Sequence, residues 1–111
     1  MADKRTTITG TLDAVEVSAD NYIMDRDGVF KGELEWTAGT MTVVLNIKIP
    51  GGDAYVPAYD ASGNAITFAM AAGKRHGTVE VLALSGTGFQ WEATASSSGD
   101  VNYAGSRCGG V

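Results

Sequence analysis

The chain has 111 residues, which fits one domain with a core large enough to fold without metals or disulfides. Hydrophobic residues make up 44% and charged residues 19%, a balance that is typical of globular proteins and excludes a disordered chain. The formal net charge of −5 argues against binding to nucleic-acid phosphates, and a single cysteine, Cys108, excludes an internal disulfide framework.

Targeting and cofactor signals are missing from the sequence. The first residues carry no apolar stretch like that of a signal peptide, and no apolar run approaches membrane-spanning length. We therefore expect a protein that is made in a cytoplasm, that needs no cofactor, and that has neither nucleic acid nor membrane as its partner.

Alternation of apolar and polar residues with a period of two predicts β-strands along most of the chain. The clearest alternation lies in residues 41–49, where Met41, Val43, Leu45, Ile47 and Ile49 share one face. In chain order the predicted strands cover residues 6–12, 22–24, 29–36, 41–49, 55–59, 65–70, 78–84 and 89–95.

Residues between and within these strands indicate how they are arranged. At Asp13 the apolar parity slips by one residue, which requires a turn or a bulge. The short link at residues 37–40 predicts a hairpin between the strands on either side of it. Pro57 lacks an N–H group, so its strand is predicted at an edge or as irregular. Apolar residues on both faces of residues 78–84 predict a central strand.

Together these patterns predict an all-β fold, an antiparallel β-sandwich of jelly-roll or immunoglobulin-like type with about eight short strands. We expect the sandwich to span residues 6–95, with a flexible N-terminal arm at residues 1–5 and a Gly/Ser-rich C-terminal arm at residues 96–111. The predicted core consists of Phe30, Leu34, Trp36, Val43, Leu45, Ile47, Phe68, Val79, Val81, Phe89 and Trp91. Gly32 shares the apolar face of its strand, where a bulky neighbour needs room.

The candidate catalytic residues lack the partners that catalysis needs. His76 is the only histidine, and no Gly-x-Ser-x-Gly motif supplies a nucleophile for it. We interpret it as a solvated loop residue, with a small hydrolase as the alternative. Cys108 follows Ser106 and Arg107 and precedes two glycines, without the helix terminus that would activate a thiol, so we interpret it as an inert tail thiol. We expect no enzyme.

A cluster of turn residues raises the possibility of a calcium site. Hard cations prefer carboxylate and amide oxygens, which Asp20, Asn21, Asp25 and Asp27 offer close to Gly28. Their spacing is not that of an EF-hand loop, and Asp, Asn and Gly are the ordinary residues of turns. We favour the turn interpretation and leave a cation site open.

Aromatic residues offer two interpretations. Trp36 and Trp91 share the parity of aliphatic residues and are assigned to the core. Tyr55 and Tyr59 share one face of the strand with Pro57, so we expect an exposed contact there. A subunit interface is favoured over a platform for carbohydrate.

A further pattern runs from about residue 12 to residue 95. It combines a first strand rich in Thr and Val, a strand ending in an aromatic residue, a Gly-Thr link, an aliphatic strand, a short strand with an aromatic residue and proline, an Asp-x-x-Gly loop and a Ser-Gly-Thr-Gly turn. The matching residues are Val15-Glu16-Val17, Gly32-Glu33-Leu34-Glu35-Trp36, Ala38-Gly39-Thr40, Met41 to Ile49, Tyr55-Val56-Pro57, Asp60-Ala61-Ser62-Gly63-Asn64 and Ser85-Gly86-Thr87-Gly88. This order resembles that of small β-sandwich proteins in the virions of tailed bacteriophages. The usual Asp-Gly-x-x-Trp is replaced here by Gly51-Gly52-Asp53-Ala54-Tyr55.

The resemblance implies a non-enzymatic virion structural protein, assembled in the host cytoplasm. It implies a capsid decoration or cement protein that binds the outer shell as an oligomer, with copies of itself and a major capsid or other virion protein as partners. The alternative is a tail or fibre module that binds a receptor or a surface glycan through Tyr55 and Tyr59. We expect the C-terminal arm to be held by a partner through Val101 and Tyr103, with Arg107 paired to an acidic neighbour.

Overall fold

The computed structural model describes residues 2–4, 7–36, 39–69, 76–98 and 100–108, which form two β-sheets packed face to face. Sheet A has the order β1-β3-β9-β5-β6, with β7 also paired to β5, and sheet B has the order β2-β10-β4-β8. The strands are β1 (Ala2–Lys4), β2 (Ile8–Leu12), β3 (Asp20–Ile23), β4 (Gly28–Trp36), β5 (Thr40–Lys48), β6 (Val56–Pro57), β7 (Thr67–Ala69), β8 (His76–Ala83), β9 (Gly88–Ser98) and β10 (Val101–Cys108). The predicted all-β, antiparallel sandwich is confirmed. Among the described residues, no helix has the length and apolarity needed to cross a membrane.

The core lies between the two sheets and contains the aromatic residues that the alternation assigned to it. Phe30 of sheet B stacks on Phe89 of sheet A with 4.0 Å between ring centroids. Of the predicted core, seven residues are buried, namely Phe30, Leu34, Trp36, Val43, Leu45, Phe89 and Trp91. The other four, Ile47, Phe68, Val79 and Val81, pack against this core while partly exposed.

The predicted hairpin between residues 29–36 and 41–49 is wrong. β4 belongs to sheet B and β5 to sheet A, so the link crosses from one sheet to the other. Trp36 and Met41 are both buried on either side of this crossing. An apolar face pointing into a shared core gives the same alternation in a hairpin and in a crossing, so the pattern alone does not separate the two.

The predicted C-terminal arm is also wrong for the described residues of that segment. β9 extends to Ser98, and β10 lies inside sheet B, paired with β2 on one side and with β4 on the other. Its inward side chains are buried, and Gly105 leaves the space that the ring of Phe30 occupies. Glycine content typical of a linker therefore reflects close packing here.

The N-terminal arm is wrong for residues 2–4, which form β1 in parallel pairing with β3. Such pairing uses main-chain groups and needs no apolar side chain, so composition gives no sign of it. The parity slip at Asp13 is confirmed as a break, because β2 ends at Leu12 in sheet B and the chain then joins sheet A, where Val17 bridges to Glu92.

Edge positions differ from the prediction at one strand and agree at another. β6, which contains Pro57, is the outermost strand of its path in sheet A, as predicted. β8 was predicted as central but lies at the edge of sheet B, paired only with β4 among the described strands. Burial of both faces therefore does not explain why β8 carries apolar residues on both of them.

Candidate interaction surface

The most distinctive surface of the molecule follows β8. Its inward residues Val79, Val81 and Ala83 are only half-buried, although they pack against the core. On the outward face the polar alternation fails at the end of the strand, because Leu82 is 83% exposed and Leu84, just beyond it, is 63% exposed. Large apolar side chains in a row at a sheet edge are typical of an interaction site.

Two adjoining depressions lie along β8 and share Leu82; we call them together the β8 groove. The first runs between the end of β8 and the end of β5, and Ile47, Ile49 and Pro50 form its opposite wall. The second runs between β8 and the segment 59–68, where Tyr59, Ile66 and Phe68 are its largest side chains. The groove thus extends over most of the length of the strand.

Hydrogen bonds fix the loops that close the groove. Asp27 Oδ1 accepts from the backbone N–H of Ser85 at 2.8 Å, and Gly86 N–H donates to the carbonyl of Met24 at 2.8 Å. At the other end Asp60 Oδ1 accepts from the N–H groups of Ser62 at 2.9 Å and Asn64 at 3.0 Å. The turns at the two ends of the groove are therefore held by hydrogen bonds within the chain.

The described residues that line the β8 groove carry negative charge. Its lining includes the carboxylates of Asp27, Asp60 and Glu80, and no lysine, arginine or histidine lines either depression among the described residues. The groove thus offers an apolar floor with acidic groups at intervals, which favours an apolar partner that carries positive charge.

The two tyrosines proposed as contacts have different surroundings. Tyr55 is half-buried against sheet A, with Lys48 Nζ 5.7 Å from its ring centroid. Tyr59 is 63% exposed and lines the β8 groove. Of this pair, Tyr59 is the one that the structure places at the candidate surface.

Three further residues were proposed to contact a partner through a C-terminal arm. Val101 and Tyr103 are instead buried in the core, at 0% and 4% exposure, so neither is available as an anchor. The guanidinium of Arg107 donates through Nε to Asp25 Oδ1 at 3.2 Å within the same chain. The acidic neighbour predicted for Arg107 is thus internal.

His76 and Cys108 lie away from the β8 groove. His76 begins β8 rather than lying in a loop, is exposed, and has its Nε2 atom 3.8 Å from Glu33 Oε2. Cys108 is an exposed free thiol at the end of β10.

The candidate calcium ligands are used within the fold. Asp25 binds Arg107, and Asp27 holds the turn at Ser85. Among the described residues, no group of three or more acidic, histidine or cysteine side chains is arranged to hold a metal ion.

Sequence reasoning missed the residues that define the β8 groove. Leu82 and Leu84 were noticed as apolar residues on the polar face of their strand, and this was the available signal. An exposed edge and a fully buried strand both produce apolar residues on two faces, and only the pairing of β8 separates them.

Comparisons with known proteins identify the fold. No protein-family model matches the sequence, and none of the curated proteins matches it. Among solved structures, the SPBc2 prophage-derived protein YomS is similar with a TM-score of 0.57, at 7% identity, over 89% of this chain and 91% of that one. The pre-peptidase C-terminal domain of collagenase from Bacillus anthracis has a TM-score of 0.52 at 18% identity, over 96% and 93% of the two chains.

The K1 cleaved adhesin domain of Lys-gingipain from Porphyromonas gingivalis has a TM-score of 0.51 at 10% identity, over 90% of this chain and 73% of that one. At such identities the likeness shows a shared β-sandwich fold and nothing of activity. A protein from a prophage, a domain of a collagenase and an adhesin domain are thus built on the same scaffold.

Proposed function

We propose that the chain is a non-enzymatic structural protein of a tailed-phage virion, a decoration or cement protein that binds the outer shell as an oligomer. The observation that carries this proposal is the apolar β8 groove with its exposed leucines, Leu82 and Leu84. A surface of this kind, with hydrogen-bonded turns at its ends and without an arrangement of catalytic groups in the described residues, is suited to docking.

Two other observations support a virion role. The order of strands and turns in the sequence resembles that of small phage virion proteins, and the fold is shared with a prophage-derived protein. The acidic charge of the chain is compatible with a role at a protein surface and not on packaged nucleic acid.

Co-sedimentation tests the proposal. Capsids of the encoding phage are prepared with this reading frame deleted and mixed with the purified chain, whose mass in solution is measured separately. We expect saturable binding at a fixed ratio to the major capsid protein. Leu82→Ser should weaken this binding, whereas Val15→Ser, at an apolar residue that is 62% exposed and lies outside the groove lining, should leave it unchanged.

Binding to purified tails but not to capsids would overturn the decoration role. The alternative function, a tail or fibre module that binds a surface glycan, is favoured by the exposure of Tyr59. Glycan-array binding that is lost in Tyr59→Ala and kept in Tyr59→Phe would support that alternative instead.

A further inference from the structure

The edges of the two sheets differ in how they are protected. At three of them the outermost strands are short: β1 has three residues, β2 has five, and β6 and β7 have two and three. β8 has eight residues and pairs with β4 over eight consecutive positions without a register shift. No other strand of the described residues pairs with its second side, which therefore presents a long regular row of main-chain donors and acceptors.

Natural proteins protect such rows with proline, lysine, a bulge or a covering segment. β6 carries Pro57, but the eight residues of β8 contain no proline, lysine or arginine. Among the described residues, only β4 pairs its main chain with β8. A long edge of this kind is a template to which an extended segment adds as a further strand, with affinity from main-chain hydrogen bonds and specificity from alternate side chains.

Side chains along β8 define what such a segment would carry. Every second residue of an added strand would point toward the inner side of sheet B, where half-buried Val79 and Val81 line the β8 groove. Apolar residues at those positions would complete the burial of the two valines.

Charge decides between the possible partners. Glu80 is exposed at the middle of the strand, and among the described residues its carboxylate forms no ion pair. A second copy of the chain would bring another β8, which contains a glutamate and no lysine or arginine. The acidic groove of a chain with net charge −5 favours a basic partner over a second copy.

We propose that the free edge of β8 binds an extended segment of another virion protein by strand addition, with alternate apolar residues directed into the β8 groove and a lysine or arginine that reaches Glu80. This inference deepens the proposed function and rests on it for the identity of the partner as a virion protein.

A synthetic peptide of alternating valine and lysine, capped at both ends, serves as the probe for the full-length chain labelled with ¹⁵N. When the peptide binds, we expect the changes in amide chemical shift of the chain, and the increase in its protection from hydrogen exchange, to concentrate on residues 76–84. A matched peptide of alternating valine and glutamate, with the same apolar content, should bind more weakly. A valine–lysine peptide N-methylated at every residue should not bind, because strand addition needs N–H groups on whichever edge faces β8.

Two substitutions test the side-chain part of the proposal. Glu80→Gln should weaken the binding of the valine–lysine peptide by roughly two- to fivefold, since an exposed ion pair contributes only a modest free energy. Glu16→Gln removes the same charge at an exposed residue that does not line the β8 groove, so it is the matched control and should leave the affinity unchanged.

Four results would overturn the inference: shifts located elsewhere than β8, equal binding of the two unmethylated peptides, binding of the methylated peptide, or a dimer in which the β8 amides are protected without any peptide. The last result would assign the edge to a second copy. Capsid binding without peptide binding at β8 would reject this inference alone. Peptide binding without capsid binding would reject the proposed function and the virion identity of the partner, and would leave only the strand addition at β8.

Discussion

The indole ring of Trp91 occupies the space that a side chain at Gly32 would need. A Cβ atom added to Gly32 would lie closer to Trp91 Cζ2 than real Cβ contacts allow, and Phe30 lies next to it. Gly32 is buried on β4, while Trp91 comes from β9 of the opposite sheet. The glycine thus fixes how closely the two sheets approach, as the sequence predicted for a small residue on an apolar face.

Gly32→Ala should therefore destabilise the protein by about 1–3 kcal/mol, because the added methyl group forces a packed tryptophan to move. The measurement is the free energy of unfolding in urea. Gly28→Ala on the same strand is the control, since its neighbour is the flexible side chain of Arg107 and should yield at little cost. Equal destabilisation by both substitutions would show that β4 resists any side chain, whatever lies opposite.

Val101→Ala tests the position of β10 in the core. Val101 is fully buried and pairs with Leu12 on one side and Trp36 on the other. Removing two methyl groups should cost about 2 kcal/mol from lost burial and the cavity left behind. Asn102→Ala, at the exposed neighbouring position, should cost less. If Val101→Ala were as stable as the parent, the result would favour the flexible C-terminal arm that composition predicted.

How far the sequence predicts this fold depends on what each pattern reports. Alternation reports which face of a strand is buried, and it identified Phe30, Leu45 and Trp91 correctly. It does not report which strand lies next to which, so β4 and β5 were paired wrongly and β8 was placed in the centre of a sheet. Pairing is decided by contacts distant in sequence, such as β2 with β10, that no local pattern contains.

The candidate site was harder to predict for the same reason. Tyr59 was identified from the sequence as an exposed contact. Leu82 could be assigned to an exposed surface only once β8 was known to be an edge strand. The C-terminal residues were misjudged because Gly105 looks like a linker residue in composition, whereas in the fold it accommodates the ring of Phe30.

Two carboxylates at the turn after β2 should titrate apart. The side-chain hydrogen bond with Glu16 and its negative charge raise the pKa of Asp13 above its ordinary value. The backbone N–H of Asp13, which donates to Glu16 Oε2 at 2.9 Å, lowers the pKa of Glu16, and the side-chain hydrogen bond acts in the same direction.

Carboxyl ¹³C shifts measured against pH test this prediction. Asp13 should titrate above the usual range of aspartate and Glu16 below that of glutamate. In Glu16→Gln the pKa of Asp13 should fall toward its ordinary value, because the hydrogen bond with the Glu16 carboxyl group and its negative charge are both removed. Glu33→Gln, remote in sequence, is the control and should leave Asp13 unchanged. If the pKa of Asp13 is the same in Glu16→Gln as in the parent, Glu16 does not raise it.

A row of polar side chains crosses the outer surface of sheet A and is almost closed to water. Asn46 Nδ2 donates to Glu92 Oε1 at 2.9 Å and to Gln90 Oε1 at 3.2 Å, and Gln90 Nε2 donates to Asn21 Oδ1 at 3.4 Å. Asn46 is only 5% exposed. Because the carboxylate of Glu92 can only accept when ionised, it fixes which end of the Asn46 amide faces it, and the orientation of Gln90 follows.

Asn46→Asp should therefore make stability depend on pH. The introduced carboxylate replaces a donor with a second acceptor beside Glu92, and both burial and the like charge raise its pKa in the folded state. An acid whose folded pKa is raised binds its proton more tightly when folded. The destabilisation should thus be small below its unfolded pKa of about 3.9 and should grow as pH rises above it.

Asn46→Ala is the control. This variant should be less stable than the parent with less dependence on pH, since it leaves a buried acceptor unpaired without adding charge. The measurement is the free energy of unfolding in urea of both variants and the parent at pH 3.5 and pH 7. If the difference in this free energy between Asn46→Asp and the parent is the same at both pH values, Glu92 is not a constrained acceptor.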